Sequence, residues 1–381
     1  MRGSRLVSWG HELDALIDHS ATQAQVGAIC NAERLFDSLG RQHGGDESTA
    51  GHGCHVAPSR FDECCERSVC CDDGWGWPRA SSMMRRRLGV PIVHRPPDAF
   101  DAFFEPRGVV LVGASRDPGK LGFGVARNLA GGDNSGGVYF VNPKIQGELF
   151  GRTVYRAVGD VPDPVELAIL LVRAALTPSI LSECGQRGIK AVVISSGGFG
   201  EIGKAGADLE TECLAVAAKY NMRLLGPNCV GIIDTHSGLN TTFLAPPGPE
   251  PGDIAFVSQS GAMCAVAIDW FGGHRFGLSR LISLGNQVDL NDADALEMSA
   301  ADSATRVVAM YLETTADGRR LVEIAARLTK PVVALKVGRS EAGSRAVASH
   351  TGALAGSEAA YRAAFRRAGI VRASTTEAMF D

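Results

Sequence analysis

From Arg107 onward the chain repeats one pattern. A short, continuous apolar run is followed by a longer segment with helical character. The runs are VVLV (109–112), VYFV (138–141), LAILLV (167–172) and AVVI (191–194), and the helical segments span 121–130, 178–187 and 206–220. A continuous apolar run is what a parallel strand needs when helices cover both of its faces. The pattern therefore predicts an α/β fold, with a first doubly wound parallel-sheet domain over residues 96–245. A Pro/Gly-rich stretch, APPGPEPG (245–252), interrupts the alternation. It resumes at DIAFV (253–257) and continues through 278–284, 307–312 and 331–335, which predicts a second open-sheet domain over 253–381. In such sheets ligands bind beyond the carboxyl ends of the strands.

Residues 1–95 do not follow this pattern. They carry six of the nine His and three of the four Trp, and six of the ten Cys fall by position 71. The adjacent pairs Cys54-His55, Cys64-Cys65 and Cys70-Cys71 lack the C-x2-C spacing of zinc sites, so no metal is assigned. This stretch is expected to be a disordered or spuriously added extension, with Met83 or Met84 as the alternative start. The remaining cysteines, Cys184, Cys213, Cys229 and Cys264, sit in apolar settings and read as small core residues of a reduced, cytoplasmic protein.

Composition narrows the function classes. The net charge of −4 supplies no basic field for nucleic acid. No apolar run reaches the length of a membrane span, and the N-terminus lacks the order of a signal peptide. With 45% hydrophobic residues, mean hydropathy near zero and 46 glycines, the chain reads as globular with many tight turns.

The chemistry lies at the predicted strand ends. VGASRDPGKLGFG (112–124) closes the first strand and opens a helix, which turns backbone N–H groups and a positive helix end toward an anion. A plain βα turn is the alternative. It is not G-x-G-x-x-G, because Ala114 follows Gly113. VNPK (141–144) places Lys144 on the same rim as Ser115, either facing a phosphate or merely solvated. SSGGFGE (195–201) is another loop able to approach a ligand. In LGPNCVGI (225–232), Asn228 either holds a turn or faces a site. In FVSQSGAM (256–263), Ser258 or Ser260 can cap the following helix, whose start is an anion site if its amides stay free. VAMYLETT (308–315) sets Glu313 just after a strand. VASHTGALAGS (347–357) places His350 among small residues. Strand-end geometry puts Ser260, Glu313 and His350 on one rim. A carboxylate there gains significance beside a histidine, whose tautomer and charge it can hold. A loop histidine without a role remains the alternative.

Taken together these segments resemble the nucleoside-diphosphate-forming acyl-CoA synthetases, the family of ADP-forming acetyl-CoA synthetases and the succinyl-CoA synthetase α subunit. VGASRDP, VNPK, SSGGFGE, LGPNCVGI, VSQSGAM, SLGNQVDL (283–290), YLET and SHTGALAGS occur in family order over residues 105–381. The resemblance implies a Rossmann-like CoA-binding domain followed by a flavodoxin-like ligase domain. It implies that coenzyme A is bound by Gly113, Ala114, Ser115, Arg116 and Lys144, with Ser196, Gly197 and Asn228 nearby. His350 would be phosphorylated during turnover, Glu313 would hold the phosphohistidine, and the helix end at Ser260 and Gly261 would receive the phosphate. The implied reaction joins a small carboxylic acid to CoA with ATP, reversibly, through an acyl phosphate.

Two departures stand out. Arg173 occupies a position where the family commonly has proline, near the expected CoA groove. No ATP-grasp sequence follows the histidine loop within these 381 residues. The ATP/ADP and Mg site is therefore expected on an ATP-grasp β-type partner subunit or domain, in a hetero-oligomer. The competing readings are a non-catalytic CoA- or acyl-CoA-binding module and an NAD-dependent oxidoreductase. Against the latter, Asn142, Pro143 and Lys144 stand where a ribose-binding acid belongs.

Overall fold

Gly108–Val112 (β1) is buried at every position, and so are Leu167–Leu170 (β5) and Ala191–Ile194 (β6). Strands of this kind can only lie inside a sheet covered on both faces. The computed structural model describes residues 100–132, 136–274, 276–338 and 358–380. In it these strands form the centre of a first sheet with Gly137–Val141 (β2), Glu148–Leu149 (β3), Arg152–Tyr155 (β4) and Arg223–Leu225 (β7). The order is β3-β4-β2-β1-β5-β6-β7, parallel throughout except for the β3–β4 edge. The chain moves outward from β1 through β2 to β4, then crosses back to β5. The crevice where the direction reverses therefore opens between the ends of β1 and β5.

The second sheet runs β14-β13-β12-β10-β11-β8-β9. Its strands are Ile232–Asp234 (β8), Leu239–Asn240 (β9), Pro251–Ser258 (β10), Leu278–Ser283 (β11), Val307–Leu312 (β12), Val332–Lys336 (β13) and Val371–Arg372 (β14). The central strand, β10, pairs in parallel with β11 on one side and β12 on the other. Its carboxyl end is the second reversal point.

The stretch at 245–252 does not separate the two sheets. β8 and β9 precede that stretch, yet β8 pairs antiparallel with β11, in the register Ile232↔Ile282, Ile233↔Leu281 and Asp234↔Arg280. Prolines and glycines mark a break in helical or alternating pattern, and here they mark only the turn into β10, which begins at Pro251. The two sheets are also not separate bodies. Backbone N–H groups of Asn286, Val288 and Leu290 donate to the carbonyls of Pro227, Gly226 and Leu224, so the segment after β11 covers the exposed edge of β7. One buried apolar cluster runs from Leu111 and Val193 of the first sheet through Leu225 and Cys229 to Val257 and Ile282 of the second.

The helices pack against these sheets. They are Asp101–Phe104 (α1), Leu121–Gly131 (α2), Thr177–Gln186 (α3), Lys204–Tyr220 (α4), Gly261–His274 (α5), Asp292–Ala301 (α6), Gly318–Ala325 (α7), Glu358–Ala368 (α8) and Glu377–Phe380 (α9). Among the described residues none is long and apolar enough to cross a membrane. The cysteines 184, 213, 229 and 264 are free and buried, as their apolar surroundings predict. The proposed extension over 1–95 lies outside the described residues.

Candidate functional site

The first rim is built where β1 ends. Gly113 has φ +102°, and a Cβ there would stand 2.1 Å from the Leu171 carbonyl oxygen. Only glycine lets the β1 and β5 rims approach this closely. Beyond it Ala114 is buried, while the Ser115 hydroxyl accepts from the Asp117 N–H and Asp117 Oδ1 accepts from the Gly119 N–H. Asn142 ties the neighbouring rim in place: its Nδ2 donates to the Ala114 carbonyl at 2.7 Å, and its Oδ1 accepts from the Lys144 N–H. The Lys144 side chain is exposed on that rim. Arg116 is exposed too, with Nη2 donating to the carbonyls of Gln146 (2.7 Å) and Glu148 (3.0 Å). The loop and Lys144 thus share a rim, as their strand-end positions predict.

Arg173 follows β5 at the reversal crevice. Its φ of −56° lies within the range of a proline, so the backbone keeps a proline-like path while the surface gains an exposed cation.

Ser196 is engaged within the fold. Its Oγ accepts from the Val172 N–H at 2.9 Å and binds β5 to the loop after β6. Gly197 is half-buried beside it. Asn228 takes the left-handed conformation at φ +58°; its N–H donates to the Ser196 carbonyl and its Nδ2 to Asn286 Oδ1 at 3.4 Å. Asn228 thus shapes the turn through its left-handed backbone, while its side chain reaches across to the loop after β11. Asn286 in turn donates through Nδ2 to Glu201 Oε2 (2.6 Å) and Glu210 Oε1 (2.8 Å). Burial raises the Glu210 carboxyl above its ordinary range, opposed by that hydrogen bond. Both carboxylates also brace the glycine loop, with Glu201 accepting from Gly198 and Phe199 and Glu210 from Gly200.

The second rim surrounds the end of β10. Both expected serines act at the start of α5: the Ser260 N–H donates to Ser258 Oγ, and the Met263 N–H donates to Ser260 Oγ. Gly261 opens the helix against Val230, and a Cβ added there would stand 2.8 Å from a Val230 methyl group. Glu313 lies one residue past β12 and is 7% exposed. Between them stands Gln259, a residue that sequence reasoning passes over. Its Oε1 accepts from the N–H of Glu313 (2.7 Å) and of Thr314 (2.9 Å), and its Nε2 donates to the Thr314 carbonyl (2.7 Å).

Lys336 ends β13 beside this rim. Its side chain is buried and lies 4.7 Å above the Tyr361 ring. Burial pushes its amine down to about 8, with the Glu358 and Glu313 carboxylates pulling the other way. His350 and the loop that carries it lie outside the described residues. Ser260 and Glu313 therefore share the expected rim, while the placement of His350 rests on the sequence alone. Among the described residues no cluster suited to a metal ion occurs.

Asp292 opens α6 next to this rim and is fully buried. Its Oδ1 accepts from the Ala316 N–H at 3.3 Å, and its Oδ2 has no complete hydrogen bond, although the Thr315 hydroxyl approaches the carboxyl. Burial raises it from 3.8 to about 7, reinforced by the charge of Asp294 on the same helix; Tyr361 faces it from α8. A folded-state value above the unfolded one means that the native state holds a proton the unfolded chain has lost. Stability should therefore fall as pH rises between 3.8 and about 7 and level off above, a loss on the order of 4 kcal/mol. The isosteric Asp292→Asn variant should lack this slope and be the more stable form at pH 8, as urea unfolding at a series of pH values will measure. Parallel slopes for the two chains would refute the assignment.

With the geometry established, similarity to known proteins adds a second line. Residues 107–235 match the CoA binding domain model, and residues 251–381 match the succinyl-CoA ligase like flavodoxin domain model. The alpha subunit of acetate–CoA ligase [ADP-forming] I from Pyrococcus furiosus is 43% identical over 290 residues, covering 74% of this chain and 62% of that protein. The alpha subunit of its ligase II is 46% identical over 284 residues, covering 74% and 61%. Among solved structures, the dinucleotide forming acetyl-coenzyme A synthetase 1 of Ca. Korarchaeum cryptofilum, in complex with phosphate and ADP, superposes with a TM-score of 0.70 at 39% identity, covering 74% of this chain and 61% of that one. The chain thus spans about three fifths of the length of these relatives.

Proposed function

Because the chain belongs to the NDP-forming acyl-CoA synthetase family, we propose that it is the CoA-binding, phosphohistidine-carrying part of an acid–CoA ligase that works with an ATP-grasp subunit or domain. The observation that carries this reading is Glu313. It is a carboxylate almost wholly removed from water, set at the reversal point of the second sheet beside the start of α5. Such a group is worth its burial when it faces a cation, and a histidine that accepts phosphate through one nitrogen offers an N–H on the other.

In the proposed sequence, a phosphate oxygen attacks the thioester carbonyl of an acyl-CoA. The C–S bond breaks, and CoA departs as its thiol with a proton. Neutral His350 then attacks phosphorus, the P–O bond to the acyl group breaks, and the acid leaves as a carboxylate. The start of α5 at Ser260 and Gly261 supplies positive backbone dipoles for the phosphoryl oxygens. Phosphorylated His350 would then pass the phosphoryl group to ADP, with Mg, at a nucleotide site on the partner.

For CoA, the crevice at the ends of β1 and β5 is the favoured site. Gly113 lets the rims of β1 and β5 close on each other there, and Arg116, Lys144 and Arg173 supply cations along the crevice. Gly113→Ala forces a side chain into the Leu171 carbonyl and should weaken CoA binding at least about tenfold, as calorimetric titration will show. An unchanged affinity would move the site away from this crevice.

The test of the whole reading is incubation of the chain with acetyl-CoA and labelled phosphate. Acid-labile label on the protein supports it. A folded chain that binds CoA and takes up no label is instead a CoA-binding module without the ligase chemistry.

A further inference from the structure

We infer that Gln259 is the positioning residue for Glu313, and that a closed ring of hydrogen bonds through Gln287 and Asp292 locks the loops after β10, β11 and β12 into one unit. The inference rests on the role proposed above for Glu313.

The carboxamide of Gln259 is saturated. Its oxygen takes the two N–H groups of Glu313 and Thr314, and its nitrogen gives to the Thr314 carbonyl and to Gln287 Oε1 at 3.4 Å. A carboxamide offers two donors and two acceptor sites, and all four are used. Gln259 therefore has nothing left for a ligand, which separates it from a binding role. Glu313 and Thr314 lie past the last residue of β12, where the ladder to β10 has ended. Gln259 continues that pairing with a side chain in place of a strand.

The ring closes through the other two loops. Gln287 Oε1 also accepts from the Asp292 N–H at 3.0 Å, and Asp292 Oδ1 accepts from the Ala316 N–H at 3.3 Å. Ala316 leads back along the chain to Thr314 and Glu313. Gln287 takes the left-handed conformation, φ +58°, which a residue other than glycine adopts where its surroundings hold it. A glutamine side chain that joins two neighbouring loops is such a determinant. The consequence is that Glu313 cannot shift without breaking contacts to the loops after both β10 and β11.

The test uses Gln259→Glu and Gln259→Met in the full chain. Glutamate keeps the shape and loses the donors, setting oxygen against the Thr314 and Gln287 oxygens. Methionine removes both functions. For each variant, CoA affinity serves as the check of folding, because its proposed crevice is at the first sheet; it should stay within about twofold of the parent. Labelling from acetyl-CoA and phosphate should slow by about tenfold to a hundredfold, the scale of a misplaced catalytic group, and the label should decay faster. Gln259→Glu should regain rate between pH 8 and 6, since protonation restores a donor, and Gln259→Met should not. Amide exchange at Glu313 and Thr314 should accelerate in both variants, with Val308–Leu312 still protected. If the parent labels and both variants match it in rate, label lifetime and amide protection, the positioning role is wrong. If the parent itself takes up no label, the reading of Glu313 fails and the positioning role falls with it, whatever the amides do.

Discussion

A His350→Ala chain is expected to take up no acid-labile phosphate, a loss of at least about a thousandfold in labelling, while binding CoA as the parent does. The argument is chemical. A neutral imidazole near pH 7 is nucleophilic, and its phosphorylated form is a P–N compound that acid hydrolyses. Alanine offers no lone pair, and neither water nor Glu313 replaces it with a bond of the same lability. CoA should be unaffected because its proposed crevice lies at the ends of β1 and β5, in the other sheet. The measurement is labelling with acetyl-CoA and phosphate, with CoA titration in parallel. Label that persists in the variant would remove His350 as acceptor. Attention would then pass to Lys336, whose buried amine, brought down to about 8, can also form an acid-labile P–N bond.

Arg280→Met is expected to destabilise the protein by about 3–5 kcal/mol. Arg280 is 8% exposed, with Nε 2.7 Å from Asp234 Oδ2 and 3.7 Å from Asp302 Oδ2. Its Nη1 donates to the Met298 carbonyl, and its face lies 3.9 Å from the Phe104 ring centroid. One side chain thus holds β8, α6 and α1 against β11. Removing it strands the Asp234 carboxylate in a site closed to water. The Arg280→Met, Asp234→Leu double variant should recover part of the loss, because an apolar pair of similar volume replaces a buried ion pair with little penalty. Urea unfolding of the three chains checks both statements. A single-variant loss below about 1 kcal/mol, or a double variant no better than the single, would contradict the argument.

How much of this was legible in the sequence depended on the signal each residue carries. The central strands were readable because β1, β5 and β6 are apolar without interruption, and only a doubly covered parallel strand has that composition. β3, β8 and β9 were not, since two or three residues define no period, and their antiparallel pairing is a tertiary choice. The same cause hid that β8 and β9 belong to the second sheet. Gly113, Lys144, Ser260 and Glu313 could be placed on their rims because a strand end fixes which side of the sheet a following residue occupies. Asn228 could be recognised as a turn former, but its partner, Asn286, lies 58 residues away and no local rule joins them. Gln259 and Gln287 carried no signal at all. An uncharged glutamine in a small polar loop looks like solvent-facing filler until its four bonds are counted. Asp292 was hidden likewise, because an acidic residue at a helix start is ordinarily an exposed cap.

The pairing of β8 with β11 bears on how the chain can be divided. A fragment cut at 245–252, where the prolines invite it, would leave behind the strand that carries Asp234. It would also uncover the outer edge of β11, a hydrogen-bonding template for aggregation. The second half as an independent piece begins upstream of Ile232, at the turn that also anchors Asn228. Anyone dissecting the molecule, or fusing its halves to other proteins, should place the scissors there.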